Sequence, residues 1–265
     1  MHQAIFQIDQ PRSGVENMAL DQSMLEATDR DQVVRLRLYR WSEPTVSLGY
    51  FQKYVEFESY IQRLPNSIIK DLALVRRATG GGAIVHHHDW TYSISMPASA
   101  ARAIGHGAST GLYDSAHQAV VAWLKSFGMV AELWKPDVTK TPVDASEACS
   151  TDGCAFLCFQ RRHNGDVVLN GYKIMGSAQR RFGTAVLQHG SLLLAASPLA
   201  TVLPGLKELG GDVSGELKGF SLQLVQQLSA DFRIEFQCCN CIGPIVPIAE
   251  QARLRFESRC WNARM

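Results

Sequence analysis

The sequence predicts an α+β fold: mixed, largely antiparallel sheets flanked by helices. Three observations point there. Strand-like and helix-like segments follow one another along the chain with no internal repeat. Asn170-Gly171 sits between two apolar runs, the pattern of an antiparallel hairpin rather than a parallel crossover. The 265 residues are 46% hydrophobic and 19% charged, an ordinary globular composition with enough apolar mass for a sizeable core.

Each element follows from its own pattern. Residues 15–28 carry good helix formers with Met18, Leu20, Met24 and Leu25 as apolar positions, so they read as a helix. Val34, Leu36 and Leu38 alternate with Arg35, Arg37 and Tyr39, the period-two signature of a half-buried strand. Residues 45–48 follow Pro44 and are closed by Gly49, while 72–75 run into Arg76-Arg77; both read as strands. Leu112, Ala116, Ala119, Val120, Trp123 and Phe127 recur at helical spacing, and Gly128 is placed to stop that helix. Residues 166–169 and 172–175 flank Asn170-Gly171, where a type I′ turn needs positive φ at both positions. Segments 185–188 and 192–194 extend the sheet, and helices near 215–230 and 247–259 close the chain.

The bulk properties exclude several partners. A formal net charge of +1 gives no polyanion-binding signal, which argues against nucleic acid. No apolar stretch reaches the roughly 18 residues of a membrane helix. Residues 1–10 lack a secretory pattern, so no membrane partner and a cytoplasmic location are expected. Seven cysteines are an odd count that suits reduced thiols better than a disulfide framework. Cys149, Cys154 and Cys158 form one cluster and Cys238, Cys239 and Cys241 another. Neither has the paired spacing of a zinc site, and no metal is expected.

Four segments carry chemistry. Arg76-Arg77-Ala78-Thr79-Gly80-Gly81-Gly82 sets two cations beside three glycines at a strand end. Glycine lets backbone approach a ligand and arginine suits an anionic group, whereas the bland alternative is a tight turn with solvated arginines. No Gly-Lys-Ser/Thr follows, so this is not a P-loop. In His86-His87-His88-Asp89, adjacent strand positions face opposite sides, which leaves one inward histidine donating a hydrogen bond rather than a metal site. Lys173 falls mid-strand, where a lysine usually faces solvent. The small residues of Gly176-Ser177-Ala178-Gln179 and of Gln188-His189-Gly190-Ser191 nevertheless offer a cleft in which an amine can carry protons. Cys158, fifteen residues before Lys173, is a thiol that a neighbouring cation activates. Chemistry alone leaves Cys149, Cys154 and Cys158 as equal candidates.

These residues resemble the biotin/lipoate protein ligase superfamily, most closely its cysteine-dependent octanoyltransferases, with lipoate-protein ligase as a relative. The matching segments are 17–21, Tyr39-x-Trp41 with 48–52, Arg76 to Gly81 with His86 and Thr91-Tyr92-Ser93, 171–179, and 187–191, across roughly residues 14–195. The resemblance implies Cys158, followed by Phe159, as nucleophile and Lys173 as proton shuttle. It implies Arg76, Arg77, Thr79, Gly80, Gly81, Gly82, His86, Tyr92, Gly176, Ser177, Ala178, Gln179, His189 and Gly190 as the acyl-binding set. It also implies octanoyl-acyl carrier protein as donor, a lipoyl domain or glycine-cleavage H protein as acceptor, and no required cofactor. Only about 70 residues follow position 195, so one catalytic domain over 1–265 is expected, without the accessory domain of the ligases.

The chain also departs from the octanoyltransferase pattern. Gly82 is closer to the ATP-dependent ligases, and His87-His88-Asp89 and Gln160-Arg161-Arg162-His163 differ from the transferases. Three enzyme readings result: octanoyl transfer through a Cys158 thioester, ATP-dependent ligation through an acyl-adenylate with Cys158 as bystander, and amidotransfer between lipoyl domains. A non-catalytic acyl- or carrier-binding module is the fourth, against which the paired Cys158 and Lys173 speak. Arg161, Arg162, Arg180 and Arg181 flank the site and either dock an acidic carrier or are simply solvated.

Overall fold

The computed structural model describes residues 3–102, 110–136, 156–213, 215–239 and 243–264. Cys149, Cys154 and Cys241 lie outside the described residues. The larger of two sheets has a parallel edge formed by β1 (Gln3–Ile8) between β2 (Val34–Tyr39) and β11 (Glu235–Cys238). From β2 it continues antiparallel through β6 (Asp89–Pro97), β10 (Ala185–Leu193), β9 (Tyr172–Phe182), β8 (Val167–Leu169) and β7 (Ala131–Leu133). The smaller sheet places β3 (Thr45–Leu48) between parallel β4 (Ala73–Arg76) and antiparallel β5 (Ile84–His86). The α+β expectation therefore holds.

Helix α1 (Gly14–Asp31) starts on a capping box, with Ser13 and Glu16 exchanging side-chain-to-backbone bonds. It packs between the two sheets. Met18 and Ala19 join Val75 of the small sheet, while Leu25 meets Ala185 and Leu187 of the large one. Enclosure on both sides buries polar as well as apolar residues of the helix, and Asn17 and Asp21 are satisfied by the Arg37 guanidinium. The short helix α4 (Ala98–Ala101) follows β6, and helices α5 (Thr110–Lys125) and α6 (Leu217–Phe232) cover the opposite face of the large sheet, where the Trp90, Trp123 and Phe220 rings meet. Helices α2 (Tyr54–Ile61) and α3 (Asn66–Ile69) line the small sheet. Helices α7 (Glu250–Glu257) and α8 (Arg259–Asn262) pack on α1 and β4. No helix among the described residues is long and apolar enough to cross a membrane.

Several expectations change in detail. The helix predicted near 247–259 breaks at Ser258, whose ψ of 127° is extended, so two short helices replace it. The two segments at 185–188 and 192–194 are one continuous strand, because Gly190 stays paired with Ser177 and Tyr92. His87 and His88 do not continue a strand. β5 ends at His86, and the two rings stack on each other in the bend before β6. The hairpin turn is as expected, with Asn170 at φ 49° and Gly171 at φ 80°.

Candidate active site

The hairpin built on Asn170-Gly171 contains an irregularity that aims Lys173. Val168 pairs with Lys173, but the next β8 residue, Val167, pairs with Met175, so Ile174 is an extra residue in β9. Such a bulge flips the facing of the later strand residues and re-aims the side chains around it. Lys173 then folds back over Gly176. A Cβ on Gly176 would stand 2.5 Å from Lys173 Cε and 2.7 Å from Nζ. The side chain is buried, 5% exposed, instead of facing solvent as hairpin lysines usually do. Its Nζ lies 2.8 Å from Asp166 Oδ2 and 3.8 Å from Cys158 Sγ, with the Phe159 ring centroid 5.5 Å away.

Cys158 reaches this point because its strap lies against the glycine loop. Ala83 N–H donates to Phe156 O and Cys158 N–H to Ala83 O, at 2.9 and 2.8 Å. Gly82 permits the approach, since a Cβ there would stand 3.0 Å from both Cys158 Cα and N. Arg77 ties the loop together from inside. Its guanidinium donates to Ser47 O, Gly80 O and Gly82 O at 2.7, 2.8 and 2.7 Å. Burial pushes this guanidinium down to about 10, against the opposing influence of Cys158, so it is a cation at neutral pH.

Cys158, Lys173 and Asp166 line a cavity of about 430 Å³. That is within the ordinary range for a small-molecule site. Met18, Tyr39, Trp41 and Ile84 supply apolar wall, and Gly80, Gly81, Gly176, Ser177, Ala178, Gln179 and Gly190 supply small or backbone-rich wall. Three histidines, His86, His163 and His189, also line it, and the buried His86 and His189 are spoken for. His86 lies 2.8 Å from Asp89 Oδ2 through Nδ1 and 2.8 Å from Ser47 Oγ through Nε2, with Trp41 stacked on its ring at 3.7 Å. Burial lowers its proton affinity. His189 bridges Asp21 Oδ2 at 2.9 Å and Thr79 Oγ at 2.7 Å. The ring nitrogens of both are occupied by the protein, and Trp41 covers a face of His86, so neither imidazole offers a free polar group to a guest.

The structure sorts the sequence-predicted set. Cys158, Lys173, Arg77, Gly80, Gly81, His86, Gly176, Ser177, Ala178, Gln179, His189 and Gly190 line the cavity. Thr79, Gly82 and Tyr92 stand behind it: Thr79 on His189, Gly82 against Cys158, and Tyr92 with its hydroxyl 2.9 Å from Ser177 Oγ. Arg76 points elsewhere and donates to backbone carbonyls of residues 49–52 and 261–264. Arg180 is likewise engaged, donating to Ala78 O at 2.8 Å beside the Tyr50 ring. Sequence reasoning missed Asp166, Tyr113, Asp21 and Asp89. Asp166 had one visible signal, an acidic residue directly before a buried apolar strand. Among the described residues, no three metal-ligating side chains come together.

Residues 13–208 match the model of the lipoyl protein ligase A/B catalytic domain. The chain belongs to that family. It is 35% identical to octanoyltransferase LipM of Kyrpidia tusciae over 192 residues, 71% of this chain and 65% of that one. It is 31% identical to octanoyltransferase LipM of Moorella thermoacetica over 220 residues, 82% of this chain and 70% of that one. The chain thus spans just under two thirds of the Kyrpidia relative's length. Among solved structures it resembles a lipoate-protein ligase A bound with ATP, at TM-score 0.67 and 19% identity over 98% of both chains. It also resembles the bipartite lipoate protein ligase of Thermoplasma acidophilum, at TM-score 0.64 and 19% identity over 99% of this chain and 97% of that one. At those identities the likeness concerns the fold.

Proposed function

We propose that this lipoyl-ligase-family chain is an acyltransferase of protein lipoylation. It moves an octanoyl group from acyl carrier protein through a Cys158 thioester to a lysine of a lipoyl domain or glycine-cleavage H protein. The observation that carries the reading is Lys173 Nζ at 3.8 Å from Cys158 Sγ, both on the wall of one cavity. The octanoyltransferase relatives support the choice of cargo.

The atoms balance without a nucleotide. The Cys158 thiolate attacks the donor's thioester carbonyl, the carbonyl–carrier sulfur bond breaks, and Lys173 gives its proton to the departing thiolate. Thioester has been exchanged for thioester, which is close to neutral. The acceptor amine then attacks the acyl-Cys158 carbonyl, Lys173 takes the amine's proton, and the Cys158 thiolate leaves. An amide replaces a thioester, which is downhill. The backbone of Gly80 and Gly81 and of Ser177 and Ala178 borders this space and is the candidate for polarising the carbonyl.

Ligation through an acyl-adenylate fits the same residues less well. It would bring an anionic phosphate towards Lys173, whose Nζ already faces the buried Asp166 carboxylate at 2.8 Å. Two like charges in one buried site repel strongly. Incubation with octanoyl-acyl carrier protein in the absence of ATP is expected to add one octanoyl group to the intact protein, and Cys158→Ser to abolish the adduct. Labelling that needs free octanoate and ATP and survives Cys158→Ser would sink the proposal.

A further inference from the structure

The side chain that holds Lys173 in place is Asp166, which no cysteine or glycine-loop motif announces. Its carboxylate is fully buried. Oδ2 accepts from Lys173 Nζ at 2.8 Å and from the His163 backbone N–H at 2.6 Å, and Oδ1 accepts from the Tyr113 hydroxyl at 2.5 Å. Burial and the carboxylate together push the Tyr113 phenol well up, so it remains a donor. A carboxylate is retained in such a place only when its partners offset the lost hydration. Three donors do so here, and of these only Lys173 also touches the Cys158 sulfur.

Lysine is a poor candidate for holding a proton at a fixed point by itself. Its ammonium is a compact charge on a flexible stem. The 3.8 Å contact with sulfur is too long to restrain it. A charge-assisted bond to a carboxylate that is itself locked by two other donors does restrain it. The same carboxylate is the counter-charge that offsets the lost hydration of a buried ammonium.

We infer that Asp166 is the positioning residue of this site. It holds the Lys173 ammonium at the Cys158 sulfur, Tyr113 and the His163 amide fix the carboxylate, and the effect on the thiol passes only through the lysine. Its purpose rests on the acyl-transfer reading above, but its geometry belongs to the resting protein and can be tested without any acyl donor.

The test is alkylation of Cys158 by iodoacetamide near neutral pH, followed by mass spectrometry of the Cys158 peptide. Asp166→Asn is expected to slow alkylation about tenfold or more, the effect of losing one charge-assisted bond. Lys173→Met should slow it comparably. In the Lys173→Met background, Asp166→Asn should cause no further slowing, because its route to the sulfur is gone. Tyr113→Phe, which buries no new charge, should slow alkylation by a smaller factor, about threefold, and it keeps the question open to measurement if Asp166→Asn does not fold. Slowing that multiplies in the double variant, or wild-type rates in Asp166→Asn and Tyr113→Phe, would overturn the inference. The expected pattern in a protein that transfers no octanoyl group would leave Asp166 in this role and remove the octanoyl reading alone.

Discussion

Gly176 is a glycine because Lys173 occupies the space where its Cβ would be. A methyl there would lie 2.5 Å from Lys173 Cε, inside any real contact. The clashing atoms are the far end of the ion-paired lysine side chain, so Gly176→Ala should fold and move the amine instead of the backbone. Displacement of a catalytic group by about 1 Å can cost about 100-fold in rate. Gly176→Ala is therefore expected to lower single-turnover octanoyl transfer about 100-fold, with some loss of stability from the disturbed Lys173–Asp166 pair. An unchanged transfer rate would show that the amine keeps its place. At this scale the sequence is half legible. The motif around Lys173 marks it, and the small residues after it predict a cleft. Its burial depends on Tyr113 and Asp166, which are 53 positions apart in the chain, and no local pattern connects them. The choice of Cys158 over Cys149 and Cys154 rests on resemblance, since thiol chemistry alone does not rank them.

Among the elements, β4 shows why neighbouring arginines need not share a role. Residues 76 and 77 of an extended segment face opposite ways. Arg77 turns to the glycine loop, whereas Arg76 donates to six backbone carbonyls, those of Gly49, Tyr50, Gln52, Trp261, Asn262 and Arg264. It fastens the turn after β3 and the C-terminal helices to the small sheet. Losing one such set of bonds in a buried place costs about 3 kcal/mol or more. Arg76→Met is expected to lower the unfolding free energy by that order in urea titrations and to expose the segment after α7 to limited proteolysis. Unchanged stability with a raised KM for the octanoyl donor would instead return Arg76 to the ligand-binding set. The alternation of strands and the Asn170-Gly171 turn are readable because they are local. The bulge at Ile174 is not, because it exists only in the pairing of β8 with β9.

For the whole molecule, fold class is legible and strand order is not. β1 takes β11 as its outer neighbour across the length of the chain, a contact that no sequence window contains. The buried histidines are a consequence of that assembly and set how the protein responds to acid. His117, on α5, is completely enclosed, with Nδ1 2.7 Å from Gly165 O and Nε2 2.7 Å from Ser177 Oγ. Burial pushes its proton affinity down to about 4 from the ordinary 6.5. The unfolded chain therefore binds a proton at this residue through the window from 6.5 down to 4, and the folded chain does not. Stability is fully present above that window and is lost as pH falls through it, by about 2 kcal/mol between pH 7 and pH 5 for this one residue. His86, whose proton affinity burial also lowers, adds in the same direction. Urea unfolding of wild type should thus show a lower midpoint at pH 5 than at pH 7, and His117→Gln should flatten that difference by about 2 kcal/mol. An unchanged slope in His117→Gln would mean that the imidazole takes up its proton in the folded state, and that the hydrogen bond from Ser177 does not hold it neutral.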